Sequence, residues 1–441
     1  FNGAEELTQR VAGLQAALAN GSQVAFQIRG IGAVDHQALT PTAAAVYRDG
    51  VFLATNVQTS PLLFDVKRAE VLKGPQGSLY GRNASSGAIN FVSVMPGDEA
   101  EGYAELDYGN FDRVNARAAG TLPLSERVSV RLAGRYLSQD PSLANVVTNP
   151  DVIAPADGGG RRDEFGFRAT TRFDVSASTQ IIFNAHYAED NGINVAPRND
   201  SLDVGRHEIS IGSDGIQDTD NEFYGGFVTI RHDRGDLSFF SQTAYEGYNQ
   251  QYGFDFDGTP APFGSPNFNS NLAYDRTFDQ ITQEFRVNYT SGRAEWMAGV
   301  FLGSEEFDQE YLLWCGELDR ATLLGTCSYV GAPGRVGPEP ASDGTALTLQ
   351  SLISQSRRTA AAFTYNTIML TDRLDLVAGG RLTYERIKGS GEGRHIFDDG
   401  TTALNNRDGL GLAEGENTIK DTRFTGNIGL NFQASGALLV Y

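Results

Sequence analysis

Few residues in this chain could do chemistry, and their spacing argues against catalysis. Five histidines, His36, His186, His207, His232 and His395, are scattered, and no two stand at the spacing of a metal-binding pair. No Ser-His-Asp set, nucleophile elbow or pair of catalytic carboxylates can be recognised. The chain therefore reads as a non-enzyme with no metal and no cofactor. The acidic stretches SDGIQDTDNE (213–222) and DFDG (255–258) lack the helix-flanked pattern of a calcium loop and read as solvated charge. Gly74, Pro75, Gly77 and Gly81 cluster in KGPQGSLYG, yet no Gly-Lys-Ser/Thr follows, so a nucleotide cradle is not indicated. The two cysteines are Cys315 and Cys327. A catalytic cysteine needs a histidine and an electropositive pocket, and neither is evident.

More telling is the way arginine alternates with aromatic and aliphatic residues. Residues 127–136 (RVSVRLAGRY) set Val128, Val130, Leu132 and Tyr136 against Arg127, Ser129, Arg131 and Arg135. Residues 165–175 set Phe165, Phe167, Ala169, Phe173 and Val175 against Arg168, Thr170, Arg172 and Asp174. Residues 423–432 set Phe424, Ile428, Leu430 and Phe432 against Arg423, Thr425, Asn427 and Asn431. A period of two marks a strand with unlike faces. The same pattern recurs near 103–108, 113–121, 180–187, 222–231, 236–246, 280–289, 294–307, 357–370 and 373–386. This predicts about twelve strands, most of them ten residues or longer, with a thirteenth beginning at Ala437.

The elements that carry these residues are joined in a regular rhythm. Short links at 123–126, 175–178 and 371–373 alternate with long ones near 139–162, 189–221, 247–276, 311–354 and 389–419. Long strands joined this way fit a transmembrane antiparallel β-barrel, apolar towards lipid and polar towards its lumen. A soluble sandwich would use strands of about 5–6 residues. Over 441 residues, with 51 Gly, 17 Tyr and 26 Phe, no stretch approaches the roughly 18–20 apolar residues of a membrane helix. The formal charge of −20 argues against nucleic acid as a partner, and the barrel reading makes outer-membrane lipid the expected surround. The lumen arginines Arg131, Arg135, Arg168 and Arg172 could attract an anion or be ordinary wall charges. His186, on one face with Asn184 and Gln180, reads as a wall residue.

The first hundred residues differ. Leu7, Val11, Leu14 and Leu18 are spaced as in a short amphipathic helix over 5–19, followed by the short strands VAFQIRG, AAVYRDGVFL, KRAEVLKGP and GAINFVSV. That mixture predicts a small α+β domain over residues 1–98, with the barrel over 99–441. Asp49-Gly50 between two apolar runs is a tight hairpin signal.

The blocks QIRGIG (27–32), AVYRDGVFL (45–53) and FDVKRAEVLKGPQGSLYGRNASSGAINFVSVMP (64–96) together resemble the plug domain of TonB-dependent outer-membrane receptors. The long-stranded remainder resembles that family's barrel, which has 22 strands around a plugged lumen. The resemblance implies an outer-membrane protein of a Gram-negative bacterium that imports a scarce ligand, most commonly a ferric siderophore. TonB and its inner-membrane energising complex would be the partner. A passive, TonB-independent channel is the alternative. The chain opens at Phe1 and stops at Tyr441 inside an apolar run. It is therefore expected to be a fragment without the TonB box and the last strands.

The resemblance also implies site residues. Arg29 and Lys73 would bridge plug to wall, with Arg68 and Glu70 of the same block assisting. Lys73 stands where Arg is more usual, which forgoes a two-pronged contact. Glu284 in ITQEFRV shares a face with Arg286 and is expected in the lumen. The apical loops would offer Asp35, His36 and Gln37, and then Thr55, Asn56, Val57 and Gln58, to the cargo. Cys315 and Cys327 are expected to close a disulfide in an external loop, because an exported protein meets an oxidising periplasm.

Overall fold

A computed structural model describes residues 6–18, 23–32, 38–59, 62–146, 158–193, 205–211, 218–255, 270–315, 347–397, 402–404, 414–435 and 438–440. The N-terminal part opens with α1 (Glu6–Arg10), followed by β1 (Leu14–Leu18) and β2 (Val24–Ile28), which form an antiparallel pair. The predicted fifteen-residue helix therefore ends after five residues. Gly13 takes φ +76, a left-handed turn that stops a helix, and Leu14 enters the core as a strand residue opposite Ile28.

β3 (Ala44–Arg48), β4 (Val51–Leu53), β5 (Val66–Lys73) and β6 (Gly87–Ser93) form one sheet in the order β4-β3-β6-β5. Asp49 and Gly50, at φ +52 and +82, make the predicted hairpin between β3 and β4, since both central positions of such a turn need positive φ. The Asp49 carboxylate accepts the Ser93 N–H at 2.7 Å and its hydroxyl at 2.8 Å, tying the turn to β6. Phe26, Ile28, Val46, Leu53, Leu63, Ile89 and Phe91 build the core. Gly87 must lack a side chain, because a Cβ there would lie 2.1 Å from the Leu72 carbonyl.

The second part is one large sheet. Its strands are β7 (Glu101–Gly109), β8 (Arg113–Ser125), β9 (Val128–Gln139), β11 (Arg162–Ser176), β12 (Thr179–Asp190), β14 (Thr219–Arg234), β15 (Leu237–Asp255), β16 (Ser270–Ser291), β17 (Ala294–Cys315), β18 (Leu347–Thr371), β19 (Leu374–Phe397), β21 (Glu414–Ser435) and β22 (Leu438–Val440). They pair in chain order from β7 to β22, every neighbour antiparallel. Outside this path, β10 (Ala144–Asn145) pairs with β13 (Glu208–Ile209) and β20 (Thr402–Leu404) adds to β19.

The faces divide as the alternation predicts. Arg131, Arg135, Arg168 and Thr170 are buried on the concave side, while Leu132, Tyr136, Phe165, Phe167, Phe285, Phe424 and Ile428 are exposed on the convex side. Exposed apolar side chains in such numbers suit lipid rather than water. Tyr289 and Trp296 sit opposite one another near the short-turn end, where aromatic residues favour a membrane interface.

The strands outrun their expected ends. Pairing continues through 247–255, 270–276, 347–354 and 414–419, all assigned to long loops by the alternation. Beyond the lipid both faces meet polar surroundings, so the period-two signal fades while the backbone ladder continues.

Candidate functional site

The small domain lies against the concave face of the large sheet, joined to it by apolar clusters around Val57 and Val51 and by a set of ionic and polar contacts. Arg48, the last residue of β3, donates from Nη2 to Glu246 Oε2 of β15 at 2.7 Å, with both side chains buried. The same Nη2 is 2.8 Å from His186 Nε2 on β12. His186 Nδ1 lies 3.0 Å from Asn184 Oδ1, and Asn184 in turn donates to Thr170 at 2.8 Å. His186 Nε2 also lies 3.0 Å from Glu246 Oε2, so guanidinium, imidazole and carboxylate meet in one buried cluster. Gly225 beside them has no room for a side chain, since a Cβ would stand 2.8 Å from His186 Nε2 and 2.9 Å from Glu246 Oε2.

A second clamp joins Asp65 to Arg131 of β9 through two parallel bonds, Nε to Oδ2 at 2.8 Å and Nη2 to Oδ1 at 2.7 Å. This two-pronged geometry is the one a guanidinium offers and an ammonium does not. Arg168 of β11 reads main chain: its Nη2 donates to the carbonyls of Leu62 at 2.8 Å and Phe64 at 2.9 Å. Its guanidinium also lies 4.8 Å above the Phe64 ring. Arg172 donates to the Pro96 carbonyl at 2.9 Å and pairs with Asp98. Arg82 crosses the other way, to Glu305 of β17, and lies 4.9 Å over Phe52. Neutral contacts complete the set. Gln280 reaches the Phe52 carbonyl at 2.7 Å, Gln242 that of Asp49 at 3.1 Å, and Thr425 that of Gly77 at 2.9 Å.

Towards the end that carries the long connections, the concave face becomes aromatic. Arg276 is fully buried, its guanidinium 3.7 Å over the Tyr274 ring. It donates to Gln309 at 2.7 Å and to Gln250 at 3.1 Å. Tyr311 stands 5.0 Å and Tyr252 6.4 Å from Tyr274, ring to ring. Gln23 of the small domain reaches Gln250 at 3.5 Å, so this floor is continuous with the plugging domain.

The expected site residues are placed differently. Arg68 and Glu70 pair with each other along β5 at 2.7 Å and not with the wall. Hydrogen bonding from Asn90, followed by the charge of Arg68, holds the Glu70 carboxyl below the ordinary carboxylate range. Lys73 donates to the Ala12 carbonyl at 2.7 Å, within the small domain. Arg29 is exposed in a left-handed turn at φ +54. The reason is topological: β5 is the edge of its sheet, and the face that meets the wall belongs to β3, β4 and the segments after them. Glu284 does face the concave side, yet its partner is Arg286 of its own strand at 2.9 Å. The arginines considered for anion attraction hold the small domain instead, apart from Arg135, which lies 3.3 Å from Glu164.

The second apical set is also a correction. Thr55, Asn56, Val57 and Gln58 are all buried, in a short 3-10 turn closed by a Thr55–Gln58 capping box. Val57 packs among Leu62, Phe64, Phe223, Tyr248 and Phe278. The crevice beside Thr55 holds about 20 Å³, which is room for roughly one water. Asp35, His36, Gln37 and Cys327, and the side chain of Cys315, lie outside the described residues. Among the described residues no three His, Cys, Asp or Glu side chains come together as a metal site.

Residues 2–88 match the family described as the TonB-dependent Receptor Plug Domain. The small domain is therefore similar to that family's plug. The pesticin receptor of Yersinia enterocolitica is 34% identical over 129 residues, 28% of this chain and 18% of that protein. The ferric enterobactin receptor PirA of Pseudomonas aeruginosa is 26% identical over 140 residues, 29% of this chain and 18% of its own length. Among solved structures, the ferric yersiniabactin uptake receptor FyuA from Yersinia pestis superposes with a TM-score of 0.75. It is 18% identical and covers 99% of this chain, which spans 60% of FyuA. The receptor fold therefore extends past the plug match into the sheet. Members of this family are receptors rather than enzymes.

Arg48, Asp65, Arg82, Asp98, Glu246 and Glu305 join the small domain to the large sheet, and sequence reasoning missed them. Arg48 and Arg82 lay in blocks already singled out, AVYRDG and LYGRN. Strand parity places Glu246 on one face with Gln242, but it cannot say that an arginine of another domain lies opposite.

Proposed function

We propose that this protein imports a ferric siderophore across the outer membrane, energised by TonB acting on the plug. In this reading residues 1–98 are the plug and residues 99–441 are barrel wall. The observation that carries it is the nature of the plug–wall interface. Beside the apolar clusters around Val57 and Val51, the clamps from Arg48–Glu246 to Gln280–Phe52 are polar, and water entering the lumen can replace each of these bonds as it breaks. That polar part of the interface separates at far less cost than an apolar one of equal area. Asp35, His36 and Gln37 are proposed as cargo contacts.

The test is uptake of radiolabelled ferric siderophores by iron-starved cells carrying the gene for this protein, with TonB present or deleted. Uptake that requires both is the expected result. Uptake of equal rate without TonB would replace this reading with a passive channel.

A further inference from the structure

Arg48 occupies a place that a metal ion would also fit. Its Nη2 lies 2.7 Å from Glu246 Oε2 and 2.8 Å from His186 Nε2, and those two atoms are 3.0 Å from each other. A guanidinium nitrogen thus caps an imidazole nitrogen and a carboxylate oxygen held side by side. Two neighbouring ligands of an octahedral ion, each about 2.1 Å from it, themselves stand about 3.0 Å apart. The wall therefore holds His186 and Glu246 at the spacing of adjacent metal ligands.

Three further features go beyond what an ion pair needs. His186 Nδ1 lies 3.0 Å from Asn184 Oδ1, and Asn184 is itself fixed by its bond to Thr170. A metal-ligating imidazole donates its other N–H to an oxygen in this way, which aims the Nε2 lone pair at the ion. Glu246 Oε1 is buried without a hydrogen-bond partner among the described residues. A carboxylate that meets its arginine through one oxygen has the second to give to an ion. Gly225, on the strand between β12 and β15, sets no side chain over the pair.

The cluster is divided between two bodies. His186 and Asn184 on β12 and Glu246 on β15 belong to the wall, in ladders paired on both sides. Arg48 alone belongs to the small domain, at the end of β3. Withdrawal of the small domain removes the guanidinium and leaves the imidazole and the carboxylate in place, facing the lumen.

We propose that His186 and Glu246 form a latent site for a divalent transition-metal ion, open to it when Arg48 withdraws. A nitrogen and one or two carboxylate oxygens suit ions such as Ni2+, Co2+ or Zn2+, with water from the lumen completing the coordination. The ion and Arg48 exclude one another, because both need the same two atoms. A bound ion therefore keeps the small domain from returning to the wall. That consequence for transport rests on the plug reading proposed above; the binding itself does not.

The test is isothermal titration of the untagged full chain in detergent with Ni2+. Arg48→Ala is expected to bind the ion, and Arg48→Ala with His186→Ala to lose that binding. Asn184→Ala in the Arg48→Ala background should weaken it about 10-fold, as for a partner that orients a ligand. Binding by Arg48→Ala no tighter than by the His186→Ala double variant would overturn the proposal. A second measurement uses the unaltered chain. An ion that binds only when Arg48 is away raises the separated population about 100-fold at 100 times its Kd. Ni2+ should therefore accelerate hydrogen exchange of the β3 amides, and His186→Gln should remove the response. Exchange unmoved by Ni2+, or moved equally in His186→Gln, would overturn the proposal even where the Arg48 variant fails to fold. Both readings are made on purified protein without TonB, so they stand or fall apart from the uptake experiment.

Discussion

At the scale of single residues, the plug is positioned by a few charges whose removal has unequal consequences. Glu246 is buried against Arg48 and His186, and truncating one member of such a pair leaves the other buried without compensation. Glu246→Ala is expected to destabilise plug docking by about 3–5 kcal/mol, read as faster hydrogen exchange in β3 with β14 and β15 unaffected. Replacing Arg48 and Glu246 together by apolar residues of similar volume should cost much less. A double-mutant cycle with a coupling below 0.5 kcal/mol would show that the pair is not acting as a unit. Asp65→Asn tests a different property. It keeps the size but turns one acceptor into a donor facing Arg131, so the two-pronged contact falls to a single bond. The loss should be about 1.5–3 kcal/mol, as for a hydrogen bond to a charged group, and should be measurable as increased proteolysis near Asp65.

At the scale of elements, the wall and plug fit through small residues as well as charges. A Cβ at Gly166 of β11 would lie 2.6 Å from the Phe64 ring, so the plug's aromatic edge rests on bare backbone. Gly166→Ala is expected to displace the plug at a cost of about 1–3 kcal/mol, as overpacking does. Phe64→Leu in the same chain should recover most of it; an additive double variant would show that the two sites do not touch. The elements also show how far the sequence was readable. Strands such as Val128–Gln139 and Thr179–Asp190 were legible because lipid on one side and plug on the other enforce alternation. The external extensions were not, because water on the outer side removes the contrast. Backbone amides over 247–253 are nevertheless paired and should exchange as slowly as those of a central strand, although their side chains alternate weakly. Residue types identified the lumen arginines correctly but could not assign their partners, which are main-chain carbonyls and carboxylates brought in by another domain.

At the scale of the whole molecule, the sign and location of charge matter more than its sum. The chain is strongly acidic, yet the ion pairs Arg48–Glu246, Asp65–Arg131 and Arg82–Glu305 are buried between two domains, where salt penetrates poorly. Raising ionic strength from about 0.1 M to 1 M shortens the screening length from roughly 10 Å to 3 Å. Plug docking should nonetheless change little, as judged by the unfolding midpoint in detergent. A midpoint that falls steeply with salt would mean that the clamps are hydrated and contribute mainly as surface pairs, worth at most about 1 kcal/mol each.

The wall's recognition of the plug by carbonyls has one more consequence. Arg168, Arg172, Gln242, Gln280 and Thr425 contact the main chain at Leu62, Phe64, Pro96, Asp49, Phe52 and Gly77. A carbonyl is the same in every amino acid. Mutation at those plug positions leaves these wall bonds unchanged so long as the backbone keeps its course. The plug's sequence is therefore free to drift at much of its own boundary, and a plug of different sequence but equal path could be exchanged into the same wall.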